Sequence, residues 1–188
     1  MPALARAFFA RETAAVARGL LGCRLERRYE DGRAESGRIV ETEAYPPGDP
    51  SSHAFRGPTP RCASMFARPA TAYVYRIYGA YFCLNIATEA EGVGAAVLIR
   101  GLDGIDGCAG PGRLCRRLSI DLALDGGDRL AARAPLRLLG AAGVAAEPAV
   151  TTTRIGLSRA VEEPLRFYLV GSPGVSRRDR AAEKAVLA

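Results

Sequence analysis

SGRIVETEAY (Ser36 to Tyr45) and TAYVYRIYGAYFCLNIAT (Thr71 to Thr88) are the two runs on which the fold turns. Both follow the two-residue period of a β-strand. In the first, Ile39, Glu41, Glu43 and Tyr45 fall on one face of an extended chain, with Val40 and Thr42 on the other. The second run carries four tyrosines between Tyr73 and Phe82 and is broken at Gly79, which predicts a hairpin turning at Tyr78-Gly79-Ala80. Between them lies PPGDPSSHAFRGPTPRCASMF (Pro46 to Phe66), which carries His53, the chain's one histidine. Its five prolines before Arg61 fix φ and lower the entropy lost on ordering, so the loop can hold His53 over the sheet.

The glutamates admit two readings. A carboxylate beside a tyrosine can be part of a site, or both glutamates can be solvated at a strand end, since carboxylates are seldom buried unpaired. Tyr78 admits two as well: a side chain packed in a core, or a ring projecting from a hairpin tip, which can wedge between stacked bases.

Working outward, Asp31-Gly32 predicts a hairpin that pairs CRLERRYE with the strand carrying Glu43. Apolar spacing predicts an amphipathic helix over residues 10–21, ended by Gly22. GVGAAVLIR reads as a buried strand ending at Arg100. GIDGCAGPGRLCRRLSI reads as a glycine-rich turn opening a short basic helix, either a phosphate-binding end or a solvated Arg113-Arg116-Arg117 face. Residues 119–150 read as a connection between strand and helix, LRFYLV as a further strand, and the chain beyond about residue 177 as a charged, mobile tail. Hairpins dominate and no βαβ alternation is visible. The expectation is therefore α+β: one domain over residues 1–188, built on a curved, mainly antiparallel sheet with surrounding helices.

Composition excludes several classes. With 188 residues and 48% hydrophobic content the chain can bury one substantial core. No run approaches the ~18 apolar residues of a membrane span. Arg6, Arg11, Glu12 and Arg18 interrupt the N-terminal stretch from Met1 to Gly22, which therefore lacks the continuous apolar core of a signal peptide, and a cytoplasmic protein is expected. A net charge of +6 suits a polyanionic partner. Five cysteines without a C-x-x-C pair, and a single histidine, imply reduced thiols and no metal.

ETEAY, the histidine-bearing loop, TPR (Thr59 to Arg61), MF (Met65-Phe66), YVYRIYG (Tyr73 to Gly79), FCLN (Phe82 to Asn85) and VLIR (Val97 to Arg100) together resemble the alkyladenine (methylpurine) DNA glycosylase family. The resemblance continues through GPGRLC (Gly110 to Cys115), TRIGLS (Thr153 to Ser158) and LRFYLVGSPGVS (Leu165 to Ser176). It covers nearly the whole chain.

The resemblance implies a compact single domain that extrudes a damaged purine from double-stranded DNA and hydrolyses its N-glycosidic bond. It assigns catalysis to Glu43, as the base for water, with Arg100 close to that water and a phosphate. The pocket goes to Tyr45, His53, Tyr75 and Asn85, with Leu98 and Cys83 as wall or packing residues. Tyr78 is the intercalating wedge, and Arg61, Gly112, Arg113 and Ser172 are assigned to the DNA backbone. No cofactor is implied, and a monomer without membrane attachment is expected. Lys184 is the only lysine, so a Schiff-base lyase step is not expected. The excess of arginine and alanine suggests a GC-rich, bacterial genome, and a DNA-acting protein of the cytoplasm is expected to associate with the nucleoid. The alternative is a non-catalytic module that binds damaged DNA or RNA, which would keep the wedge and basic surface without needing Glu43.

Overall fold

A computed structural model describes residues 1–128, 131, 133–141 and 147–188. The strands are β1 (Arg24–Arg28), β2 (Ala34–Tyr45), β3 (Ala72–Ile77), β4 (Tyr81–Ala87), β5 (Ala96–Asp103), β6 (Leu136–Leu139), β7 (Ala149–Thr152) and β8 (Arg166–Leu169). They form one sheet in the order β3-β4-β5-β2-β1-β6, and β8 joins β2 and carries β7. Every strand pairing is antiparallel. The sheet curls into a half-barrel with a few short helices, and the α+β expectation holds.

The predicted turns are present. Asp31-Gly32 lies in the β1–β2 hairpin, with Gly32 at φ +85°. The β3–β4 hairpin turns at Tyr78-Gly79-Ala80, where the Ala80 amide donates to the Tyr78 carbonyl at 2.9 Å. Tyr78 itself sits at φ +46°, an unusual backbone for an aromatic residue.

The N-terminal helix differs from expectation. The helix expected over residues 10–21 is shorter, α2 (Thr13–Gly19), because the Glu12 carboxylate accepts from the amides of Ala14 and Ala15 and so starts it there, and a separate short helix, α1 (Arg6–Phe9), precedes it. Helix α3 (Pro111–Arg117) follows the glycine-rich turn as expected. Residues 119–150, read as a connection, hold a 3-10 turn at Leu122–Leu124, strand β6 and the start of β7. The parts of that connection at 129–130, 132 and 142–146 lie outside the described residues. The charged C-terminal segment contains helix α4 (Arg180–Leu187), whose N-cap Asp179 accepts from the Ala182 amide, so the end of the chain holds regular structure where a tail is expected. All five cysteines are buried and unbonded to one another.

The alternation read for β2 is broken once. Register shifts fall between Ile39 and Glu41 and between Glu41 and Thr42, so Val40 on β2 and Arg100 on β5 are both passed over in the pairing. Ile39 therefore packs with Ala44 in the main core, while Val40 packs with Tyr168, Leu169 and Val175 in a second cluster. Ile39 does not share a face with Glu41. An irregularity of this kind bends the strand and re-aims side chains. Beyond it, the pairing sets Tyr73, Asn85, Leu98, Glu43 and Arg166 in a single row across five strands.

Two glycines let the turn before α4 reach this row. A Cβ on Gly101 would stand 2.2 Å from the Gly174 carbonyl oxygen, and one on Gly174 would stand 2.3 Å from the Leu102 carbonyl oxygen. Both obstacles are backbone, which cannot swing aside. Gly101→Ala and Gly174→Ala should each cost roughly 1–3 kcal/mol in urea denaturation, the usual range for forced overpacking.

Candidate active site

The site is built on the row just described and on the loop above it. Tyr45, His53, Met65, Tyr73, Tyr75, Tyr78, Cys83, Asn85, Leu98 and Arg100 line a cavity of about 370 Å³, together with Ser51, Ser52, Ile77, Pro111 and residues 155–157. Ala54, Cys62 and Met65 of the loop pack with Tyr73 and Ala96, which fixes the loop on the sheet. The loop's start is pinned by Asp49, which is ion-paired to Arg154 while Arg154 also donates to the Ala44 carbonyl at 2.9 Å.

The aromatic wall is tightly organised. Tyr73 and Tyr75 stack at 5.3 Å between centroids, and His53 meets Tyr75 edge-on at 4.6 Å. His53 Nδ1 lies 2.8 Å from the Tyr73 hydroxyl. His53 keeps contact with solvent, but desolvation on the side packed against Tyr73 and Tyr75, followed by the positive charge of Arg61, lowers its pKa below the ordinary value, so the ring is neutral at neutral pH. Burial first, and then the charge of Glu43, raises the Tyr45 pKa, while burial and then Cys83 raise that of Tyr75. These phenols stay protonated. The Arg154 guanidinium lies 4.8 Å from the Tyr45 ring centroid and braces that ring.

Glu43 is fully buried and does not itself line the cavity. All of its hydrogen-bond donors do. Tyr45 donates its hydroxyl to Oε2 at 3.0 Å, Arg100 Nη1 donates to the same oxygen at 3.2 Å, and the Ile155 amide donates to Oε1 at 2.8 Å. Beside it, Glu41 is equally buried and accepts from Arg100 Nε at 3.1 Å, from Arg166 Nε at 2.8 Å and from the Ser176 amide at 2.6 Å. The Ser176 hydroxyl donates to Glu41 at 2.9 Å, and Arg100 Nη2 donates to that hydroxyl at 3.3 Å. Burial opposes the charge on Arg100, but Glu43 and Glu41 outweigh it and raise its pKa. Two carboxylates and two guanidiniums thus balance inside the protein.

The remaining sequence-assigned residues divide. Asn85 is buried and donates Nδ2 to the Tyr73 carbonyl at 3.2 Å. Tyr78 is 89% exposed at the cavity mouth, so it is not a core residue. Arg61 is exposed 5.7 Å from the Tyr75 ring centroid. Arg113 is exposed on the first turn of α3. Gly112 is needed for packing, since a Cβ there would press on the Tyr81 ring at 3.0 Å. Ser172 is buried, lies outside the cavity lining, and accepts at its carbonyl from Arg178 at 3.3 Å.

Sequence reasoning missed Glu41, Arg154, Arg166 and Ser176. The signal for Glu41 was present in the spacing of ETE. The arginines stood in TRIGLS and LRFYLV without a visible partner, because their carboxylates lie more than 100 residues away. Among the described residues no cluster of His, Cys, Asp and Glu could hold a metal ion. No described helix is long and apolar enough to cross a membrane.

The curled sheet thus carries a tyrosine-walled cavity over a buried carboxylate. The sequence pattern of the family described as methylpurine-DNA glycosylase matches residues 7–109 and 103–173. A protein of Synechococcus elongatus, named as a 3-methyladenine DNA glycosylase, is 55% identical over 168 residues, spanning 87% of this chain and 86% of its own. Proteins of the same name from Methanoculleus marisnigri and Anaeromyxobacter dehalogenans are 43% and 45% identical, over 93% and 97% of this chain and 99% and 89% of theirs. The chain belongs to the methylpurine-DNA glycosylase family and is a hydrolase of N-glycosyl bonds whose substrate is DNA.

The lowered pKa of His53 gives a sign that can be checked. Between its folded pKa and the ordinary value of about 6.5, the native state binds fewer protons than the unfolded chain, so stability rises with pH. The contribution is fully present above that value and is lost as pH falls below it. Urea midpoints of wild type should therefore decline more than those of His53→Gln when pH is lowered from about 7.5 to about 5.5.

Proposed function

We propose that the cavity receives an alkylated or deaminated purine extruded from duplex DNA, and that Glu43 serves as the base for the water that replaces it. The observation that carries this reading is that Tyr45, Arg100 and Ile155 all bond Glu43 and all line the cavity. The carboxylate lies one layer beneath the pocket surface.

The wall suits such a ring. An alkylated purine often bears positive charge, and neutral tyrosine faces attract it by ~0.5–2 kcal/mol beyond ordinary stacking. Protonated phenols and a neutral His53 offer π-faces and hydrogen bonds without repelling a cation. Asn85 and Leu98, adjacent in the row, form the floor and wall against which ring substituents are sorted.

Breaking the glycosidic bond builds positive charge on the sugar, for which a nearby carboxylate is stabilising. Because Glu43 is fully buried here, a water reaches it only by taking the place of one of its donors or using the second lone pair of Oε1. Arg100, held by two carboxylates, is the member able to turn toward a phosphate without losing its charge partner, since Glu41 still holds Nε.

Glu43→Gln should keep binding to duplexes with one damaged purine while losing excision by ~10²–10⁴-fold in single-turnover assays. Near-normal excision by this variant removes Glu43 from the role. Tyr78→Ala tests extrusion separately. Its ring is 89% exposed, so thermal denaturation should match wild type while lesion binding and excision fall, because unstacking a base step is no longer offset by an inserted ring. A large drop in melting temperature, with normal activity in the folded fraction, sinks the wedge.

A further inference from the structure

Ile155 has a cavity on either side. It lines the aromatic pocket and also a second depression of about 440 Å³, formed by the end of β7, Arg166 of β8 and the turn entering α4. Arginines make up five of the nine residues lining this depression, and Asp179 is its one acid.

Most of the interior charges there are already used. Arg154 is paired with Asp49, and Arg166 with Glu41. The Asp179 carboxylate accepts from the Thr152 hydroxyl at 2.5 Å and caps α4 through the Ala182 amide. Arg177, Arg178 and Arg180 are left exposed, and none has a carboxylate within ion-pair distance among the described residues. Three uncompensated guanidiniums around one concavity repel each other unless an anion joins them. The planar fork of arginine fits phosphate oxygens in pairs.

The location favours a nucleic-acid backbone over an acidic protein. Arg177 follows Ser176, whose hydroxyl accepts from Arg100 and whose amide is held by Glu41. The depression therefore adjoins the network beneath the aromatic pocket and shares Ile155 with it. We propose that this depression is a second DNA-backbone site, in which Arg177 and Arg180 engage successive phosphates of the damaged strand beside the extruded nucleotide. The inference rests on the reading of the aromatic pocket as the purine site. It extends the DNA footprint beyond the aromatic pocket, past the Ile155 that both depressions share.

The test is the salt dependence of binding, read by fluorescence anisotropy on an undamaged duplex and on one carrying a single hypoxanthine. Each phosphate contact contributes about 0.9 to the slope of log affinity against log salt between about 50 and 200 mM. The double variant Arg177→Ala/Arg180→Ala should have a slope shallower by about 1.8 on both duplexes. Arg177→Lys/Arg180→Lys should keep most of the slope, since charge is retained. Single-turnover excision with every duplex bound should stay within about twofold of wild type, because a backbone contact supplies affinity without reaching the bond that breaks.

An unchanged slope in the alanine variant overturns the proposal, and so does a collapse of excision at saturation, which would tie these arginines to the chemistry. If wild type itself shows no preference for the hypoxanthine duplex and excises nothing, while the slope still changes as stated, the pocket reading fails and the backbone site stands as a general DNA contact.

Discussion

Arg100 is gripped by two fully buried carboxylates, and the rest of the site depends on that grip. Its Nε is bonded to Glu41, its Nη1 to Glu43 and its Nη2 to Ser176. A charge removed from water is costly, and even a well-made buried pair can be no more stabilising than packed hydrocarbon in its place. The network is therefore poorly explained as a device for stability. It makes sense as a device for position, because removing any one partner leaves an uncompensated charge, an outcome that typically costs ~3–5 kcal/mol. Each group is thereby restricted to arrangements that keep a charge partner, and for Arg100 either carboxylate can be that partner. Through Glu41 the grip extends to β8 and to the turn before α4, and through Glu43 it reaches Tyr45 and the Ile155 amide.

The backbone is shaped to make this possible. Pairing alone aligns Tyr73, Asn85, Leu98, Glu43 and Arg166 as one row, which carries the aromatic wall, the pocket floor and the carboxylate on adjacent strands. The register shifts that pass over Val40 and Arg100 change which face these strands present just below the row. Gly101 and Gly174 admit a backbone-to-backbone approach that no Cβ would permit, and this brings Ser176 onto Glu41. Rigid strands hold the polar groups, while the hairpin tip and the proline-rich loop supply the exposed parts, Tyr78 and His53.

Much of this was legible in the sequence, for identifiable reasons. Strand period, the Asp31-Gly32 turn and the Gly79 turn are local signals, and each marked a real element. The two-residue spacing of Glu41, Glu43 and Tyr45 correctly put them on one face. Ile39 was misplaced because a bulge is set by the partner strand, which a periodicity cannot see. The helix expected from residue 10 starts only at Thr13 because Glu12 looks like an ordinary charged helix residue until its carboxylate is seen folding back on the next amides. Arg154 and Arg166 drew no reading of their own because their partners Asp49 and Glu41 are close in space and remote in the chain. Ser172 is buried and Gly112 lies close against the Tyr81 ring, features of packing that the motifs containing them do not display.

The electrostatic character of the pocket follows from the same grip. Burial keeps Tyr45, Tyr73 and Tyr75 as phenols, and desolvation on its packed side keeps His53 neutral, so the aromatic wall carries no net charge. Glu43 carries a full negative charge, but in the resting protein that charge is matched by Arg100. On the proposed reading, a cationic ring entering the cavity is met mainly by π-faces and not by a bare carboxylate, which would hold the intact substrate as strongly as the state in which the bond breaks. Only interactions that grow along the reaction accelerate it. On the proposed reading, Arg100 turning toward a phosphate leaves Glu43 less compensated just as positive charge develops on the sugar. Glu41 makes that movement affordable by keeping the guanidinium paired throughout, so the glutamate that never meets the substrate sets the conditions under which its neighbour can act.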